Sequence, residues 1–181
     1  MDLTLIVPMF MSDGYFTRTA LPARLGPSPA AEVLTCPPLG LWSELADLVA
    51  TIALAARRAR GWQDGDWDLL LVAHGSTKDP GSRQATESLA DQLVDLTGMA
   101  RLRTAYLEQA PYLSAEAAKL DKPTVAVGLF AAEGVHAVED VPKSLAGACA
   151  PVVYTGAVGA DPRLPELLVK VIEQKLTRIA D

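Results

Sequence analysis

Cysteine and histidine are scarce in this chain of 181 residues, which has only Cys36, Cys149, His74 and His136. Two distant cysteines with no CxxC pair exclude a disulfide framework and fit a reducing cytoplasm. Positive charge is also short: 16 Lys and Arg against 22 Asp and Glu leave a net charge of −6. That argues against nucleic acid as a partner, because such proteins present basic surfaces. No apolar run approaches the ~20 residues of a membrane helix, so no membrane span is expected. The first ten residues, MDLTLIVPMF, lack a basic leader and a small-residue cleavage site, so they predict a strand and not a signal peptide. What is present is a chain 50% hydrophobic and 21% charged, enough for a sizeable core in one domain or two small lobes.

The most informative stretch is Leu69–Arg83, LLLVAHGSTKDPGSR. Its apolar run ends in His74-Gly75-Ser76 and a polar turn, then a helical pattern begins. An unbroken apolar run closed by a glycine turn predicts a strand covered on both faces, as in a parallel sheet. His74 then falls at the carboxyl edge, where open α/β sheets bind ligands. His136 has a similar setting, with the apolar run Val125–Phe130 and the Glu133-Gly134 turn before it. Two histidines at one edge are the minimum for a shared metal ion, although a histidine at a strand end is often only a hydrogen-bonded residue beside a loop.

The pattern predicts strands over Leu3–Met9, Val33–Cys36, Leu69–Ala73, Leu102–Leu107, Pro123–Phe130 and Val152–Thr155. Helices are expected over Leu41–Arg60, Ser82–Leu96, Pro111–Leu120 and from Asp161-Pro162 to about Ile179, with at most short helices over Arg18–Leu25 and around Pro142–Leu145. Pro27-Ser28-Pro29 reads as a loop, as does the segment carrying His136. Gly61–Asp66 reads as a linker between lobes. From there the order βαβαβαβα implies a parallel sheet flanked by helices.

The chain also repeats itself. At an offset of 120 residues Leu5–Leu25 aligns with Val125–Leu145 without a gap, with identities at Val7/Val127, Phe10/Phe130, Gly14/Gly134, Pro22/Pro142 and Leu25/Leu145. At an offset of 119, Gly40 meets Gly159. Two related lobes follow, residues 1–61 and 66–181. The copies differ where chemistry would sit: Phe16 stands opposite His136 and Ala20 opposite Asp140.

His74-Gly75-Ser76, Tyr106-Leu107-Glu108, Pro111, the run from Phe130 through Gly134, His136 and Asp140 to Pro142, and Gly159-x-Asp161-x-Arg163 resemble the class II tetrapyrrole chelatases, especially the sirohydrochlorin cobaltochelatases and ferrochelatases of the CbiX type. The resemblance covers the second lobe throughout. It implies two α/β lobes with a tetrapyrrole cleft between them. It also implies insertion of Co²⁺ or Fe²⁺ into sirohydrochlorin in cobalamin or sirohaem biosynthesis, with His74 and His136 as metal ligands and Glu108 as a third ligand or proton acceptor. The metal is then a substrate, and no organic cofactor is expected.

Neutral imidazole and carboxylate suit Co²⁺, Fe²⁺ and Ni²⁺, and the same groups are plausible acceptors for the two pyrrole protons that insertion displaces. Ser76, the turn's backbone N–H groups, Lys78 and Arg83 are candidates for holding a substrate carboxylate. A carboxylate-rich substrate calls for a locally basic cleft, with Arg18, Arg24, Lys78, Arg101 and Arg103 as candidates. The plainer alternatives make Glu108, Lys78 and Arg83 solvated, Asp140 an N-cap for the helix containing Pro142, and Asp161 with Arg163 a cap and surface pair.

Against a complete two-lobed relative, about fifty residues of the first lobe have no counterpart. A truncated start, completion by another subunit, or a reduced lobe each account for that. Exposed strand edges would favour a homodimer. A non-catalytic relative that carries metal or tetrapyrrole is the alternative function. A doubly wound scaffold whose histidines never meet is the third.

Overall fold

The computed structural model describes residues 2–26, 31–97 and 101–180; the expected loop at Pro27-Ser28-Pro29 lies outside them. Strands β1 (Asp2–Ile6) and β2 (Ala31–Thr35) form a two-stranded parallel sheet. Strands β3 (Asp68–Ala73), β4 (Leu102–Tyr106), β5 (Thr124–Leu129) and β6 (Val152–Ala157) form a second parallel sheet in the order β4-β3-β5-β6. The helices are α1 (Leu21–Leu25), α2 (Glu44–Ala59), α3 (Gly81–Thr97), α4 (Leu113–Ala117), α5 (Val141–Leu145) and α6 (Leu164–Ala180). The expected alternation of parallel strands and helices is observed.

Every residue of β3 and β5 is buried, because helices cover both faces. Alternate side chains serve opposite cores. Leu69, Leu71, Val125 and Val127 pack with Leu45, Val49 and Ile52 of α2, Leu89 and Leu93 of α3, and Val171 of α6. Leu70, Val72 and Ala126 pack with Leu113 and Ala117 of α4 and Val141 and Leu145 of α5. Leu5, Val7 and Met11 lean on the first of these clusters, so the two-stranded sheet is anchored to the larger core.

Several boundaries differ from expectation for local reasons. β1 stops at Ile6, not Met9, because Pro8 has no N–H to give the ladder. The helix expected from Leu41 starts at Glu44, because a 3₁₀ turn over Leu39–Leu41 ends in an extended Trp42. The helix expected over Pro111–Leu120 covers only Leu113–Ala117. Tyr112 before it is extended, and Lys119 and Leu120 close its end with tighter bonds to Glu116 and Ala117.

The largest correction concerns His136, which lies on a helix and not in a loop. A π-helical turn over His136–Asp140 runs straight into α5. Pro142 has no N–H for an α-type bond, and Val141 N–H instead reaches back five residues to His136 C=O. The repeat reproduces this: Phe16–Ala20 is also π-helical, Leu21 N–H bonds Phe16 C=O, and Pro22 follows.

Candidate functional site

The order β4-β3-β5-β6 places a switch point between β3 and β5, where the chain reverses its direction across the sheet. His74 follows β3 and His136 follows the loop after β5, so the two imidazoles come from the strands that flank this point. Their Nε2 atoms are 3.3 Å apart, with ring centroids at 4.7 Å and an interplanar angle of 84°. Two metal–nitrogen bonds of about 2.1 Å meeting at a tetrahedral angle hold their nitrogens about 3.4 Å apart. The separation is that of a pair sharing one ion.

The other ring nitrogens settle the tautomers. His74 Nδ1 lies 2.9 Å from the Gly75 carbonyl oxygen, which only accepts, so Nδ1 carries the hydrogen. His136 Nδ1 lies 2.7 Å from Asp140 Oδ2, which fixes the same tautomer. In the neutral rings both Nε2 atoms then carry lone pairs and face each other. Two acceptors at this distance repel unless a cation or proton lies between them.

The polypeptide builds this arrangement locally. Gly75 has a φ of 77°, and a Cβ there would come within 2.8 Å of Gln109 and of Tyr106 Cβ. Only glycine turns the chain back beneath His74. Asp140 is not the expected N-cap: it has helical backbone and no capping bond, and its carboxylate orients His136. Sequence reasoning could have found this in the i,i+4 spacing of His136 and Asp140, once the segment was read as helical.

Glu108 follows β4, with its N–H bonded to His74 C=O and its Oε1 3.7 Å from His74 Nε2. It is thus beside the imidazole pair, but among the described residues no group of three or more His, Cys, Asp or Glu is arranged to hold a metal ion. The site is a two-imidazole pair with a carboxylate just outside it. Such a set leaves positions open for further donors, as reactive metal sites do.

The remaining predicted residues divide. Ser76 Oγ accepts from the N–H groups of Lys78 and Asp79 and closes the turn, while Lys78 is exposed on it. Arg83 is paired with Glu87 at 2.7 Å, which raises its pKa. Of the proposed basic residues, Arg18 pairs with Asp13, Arg101 lies near Asp68 and Asp121, and Arg103 lies near Glu116. Arg101 precedes β4 and bonds through its carbonyl to Leu69 N–H, at the sheet edge opposite His74, and Arg103 is the second residue of the strand. Neither belongs to the site. Arg24 is exposed on α1. Asp161 and Arg163 form the expected pair, two bonds of 2.8 Å that hold the Asp161 carboxyl below its usual range.

A cleft of about 480 Å³ opens beside His136, lined by Leu107, Glu108, Ser114, Asp140, Lys143 and Ser144. Ser114, Lys143 and Ser144 were not singled out from the sequence.

Comparison with known proteins agrees with this geometry. A solved structure described as CbiX, the terminal enzyme for biosynthesis of siroheme in denitrifying bacteria, superposes with a TM-score of 0.81 and is 31% identical, over 96% of this chain and 76% of that one. The "Probable sirohydrochlorin cobaltochelatase" of Halobacterium salinarum is 23% identical over 93% of this chain and 70% of its own length. The sirohydrochlorin cobaltochelatase of Methanopyrus kandleri is 28% identical over 60% of this chain and 96% of its own. The CbiX family profile matches residues 68–175, the span that holds both histidines and all four strands of the larger sheet. On that match the chain belongs to the CbiX family.

Proposed function

We propose that this protein is a chelatase that inserts a divalent metal ion, Co²⁺ or Fe²⁺, into sirohydrochlorin. One observation carries the proposal. The chain's only two histidines present lone-pair nitrogens to each other at 3.3 Å, at the switch point of a parallel sheet. The named relatives support the substrate: they are sirohydrochlorin cobaltochelatases and an enzyme of siroheme biosynthesis.

In this reading His74 and His136 hold the incoming metal through Nε2. Asp140 and the Gly75 carbonyl keep both rings turned toward it. Insertion exchanges one M²⁺ for two pyrrole N–H protons. Glu108, 3.7 Å from His74 Nε2, is placed to accept one of them, and the imidazoles are free to accept the other as the metal leaves. Nickel satisfies the same donor set, so cellular supply decides among the three ions. In the same reading residues 1–61 and 66–181 are the two lobes, and Ser76 and Lys78 of the turn, with Arg83 in the first turn of α3, lie toward the macrocycle's periphery. No helix among the described residues is long and apolar enough to cross a membrane.

The test mixes the protein anaerobically with sirohydrochlorin and Co²⁺ and follows the macrocycle's absorption spectrum. Wild type is expected to convert the spectrum to that of the metallated product well above the spontaneous rate. Conversion no faster than without protein contradicts the proposal. Binding without conversion would leave a carrier, the alternative reading.

A further inference from the structure

We infer that Lys143, with Ser114 and Ser144, forms a carboxylate-binding subsite of the cleft beside His136. The inference rests on the chelatase reading and extends it to the periphery of the substrate. Among the described residues lining this cleft, Lys143 is the only fixed cation, and the other charged groups there, Glu108 and Asp140, are acids. A polycarboxylate entering a chain of net charge −6 needs a cation at the point of contact.

Of the other cations near the site, Arg83 is bound to Glu87 and Arg18 to Asp13, while Lys78 is exposed on the turn after His74 and does not line this cleft. Lys143 has no ion-pair partner among the described residues, is exposed and lines the cleft. Ser114 and Ser144 line the same cleft, so the residues around a carboxylate bound there would carry an ammonium and two hydroxyl donors.

The internal repeat provides an independent argument. His136, Asp140 and Lys143 correspond, at the offset of 120, to Phe16, Ala20 and Ala23. The backbone is the same in both copies, π-helical turn and proline included. The copy without the imidazole also lacks the orienting acid and the lysine. The three side chains therefore go together as a functional set that the fold itself does not require.

The experiment measures binding of uroporphyrin I, an octacarboxylic tetrapyrrole, by fluorescence quenching without metal, and binding of Co²⁺ without macrocycle, for wild type, Lys143→Glu and Lys143→Arg. Steady-state insertion into sirohydrochlorin is measured beside them. Lys143→Glu is expected to weaken uroporphyrin binding and raise the KM for sirohydrochlorin about tenfold or more, the scale of one charge-assisted contact. Its kcat should stay within about twofold and its Co²⁺ affinity unchanged, while Lys143→Arg should retain wild-type binding. Uroporphyrin binding and KM unchanged in Lys143→Glu overturn the subsite while leaving the chelatase reading intact. A wild type that binds neither tetrapyrrole overturns both. Loss of Co²⁺ affinity in Lys143→Glu, or a fall in kcat with KM unchanged, assigns Lys143 to the metal site and overturns the subsite.

Discussion

At the scale of single residues the site depends on where two hydrogens sit. Each imidazole gives its Nδ1–H to an oxygen, His74 to Gly75 and His136 to Asp140, so each is left with an outward lone pair. Asp140→Ala removes the acceptor that aims His136. Removing such a partner commonly costs 10–100-fold in metal affinity or activity, and Asp140→Ala should lose insertion activity in that range, measured as kcat/KM with sirohydrochlorin and Co²⁺. A fall below twofold would show that Asp140 does not position the ring. Asp161 provides a pH test. Its hydrogen bonds to Arg163 lower its folded pKa, so its contribution is present above the unfolded carboxylate range and is lost as pH falls through the folded value. Because the Arg163 side chain is 39% exposed, solvent screening limits the contribution to about 1 kcal/mol at most. Urea melts should show Asp161→Asn less stable than wild type at pH 7, with the difference shrinking as pH falls below the ordinary carboxylate range. Both histidines and Glu108 were legible in the sequence because they follow apolar runs and match known motifs. Lys143 was not, because nothing in a sequence tells a lysine at a cleft from one in bulk water.

At the scale of elements the repeat is exact enough to compare atom by atom. Gly40 N–H bonds Phe10 C=O and Gly159 N–H bonds Phe130 C=O. A Cβ on Gly40 would lie 1.9 Å from Met11 O, and one on Gly159 2.0 Å from Ala131 O. Each loop is pressed against the 3₁₀ turn that follows the next strand, Leu39–Leu41 or Val158–Ala160, and only glycine permits the approach. Gly159→Ala should therefore cost about 2–3 kcal/mol, seen as a lower urea midpoint at an unchanged slope. Stability within ~0.5 kcal/mol of wild type would show that the loop yields. The alternation of strands and helices and the parallel sheet were readable from apolar runs separated by helical patterns, whereas the order of the strands across the sheet was not. The helical setting of His136 was not, because Gly134 and Pro142 both read as breakers. In the structure Pro142 sits near the start of α5, where its missing N–H widens the preceding turn without ending the helix.

At the scale of the whole molecule the two histidines are 62 residues apart in sequence, and the β3–β5 pairing brings them together. An ion bound between them adds a cross-link that only the folded chain can make, and such binding stabilises by mass action. Co²⁺ at about a hundred times its Kd adds about 2.7 kcal/mol, or a Tm rise of about 5–10 °C for a chain of this size. Wild type should show this shift in thermal melts, and His74→Ala and His136→Ala should show little or none. The most direct test of the shared ion is anomalous scattering at the cobalt edge from crystals soaked in Co²⁺. The account predicts one peak about 2.1 Å from both His74 Nε2 and His136 Nε2. A peak on only one imidazole, or none between them, would contradict it.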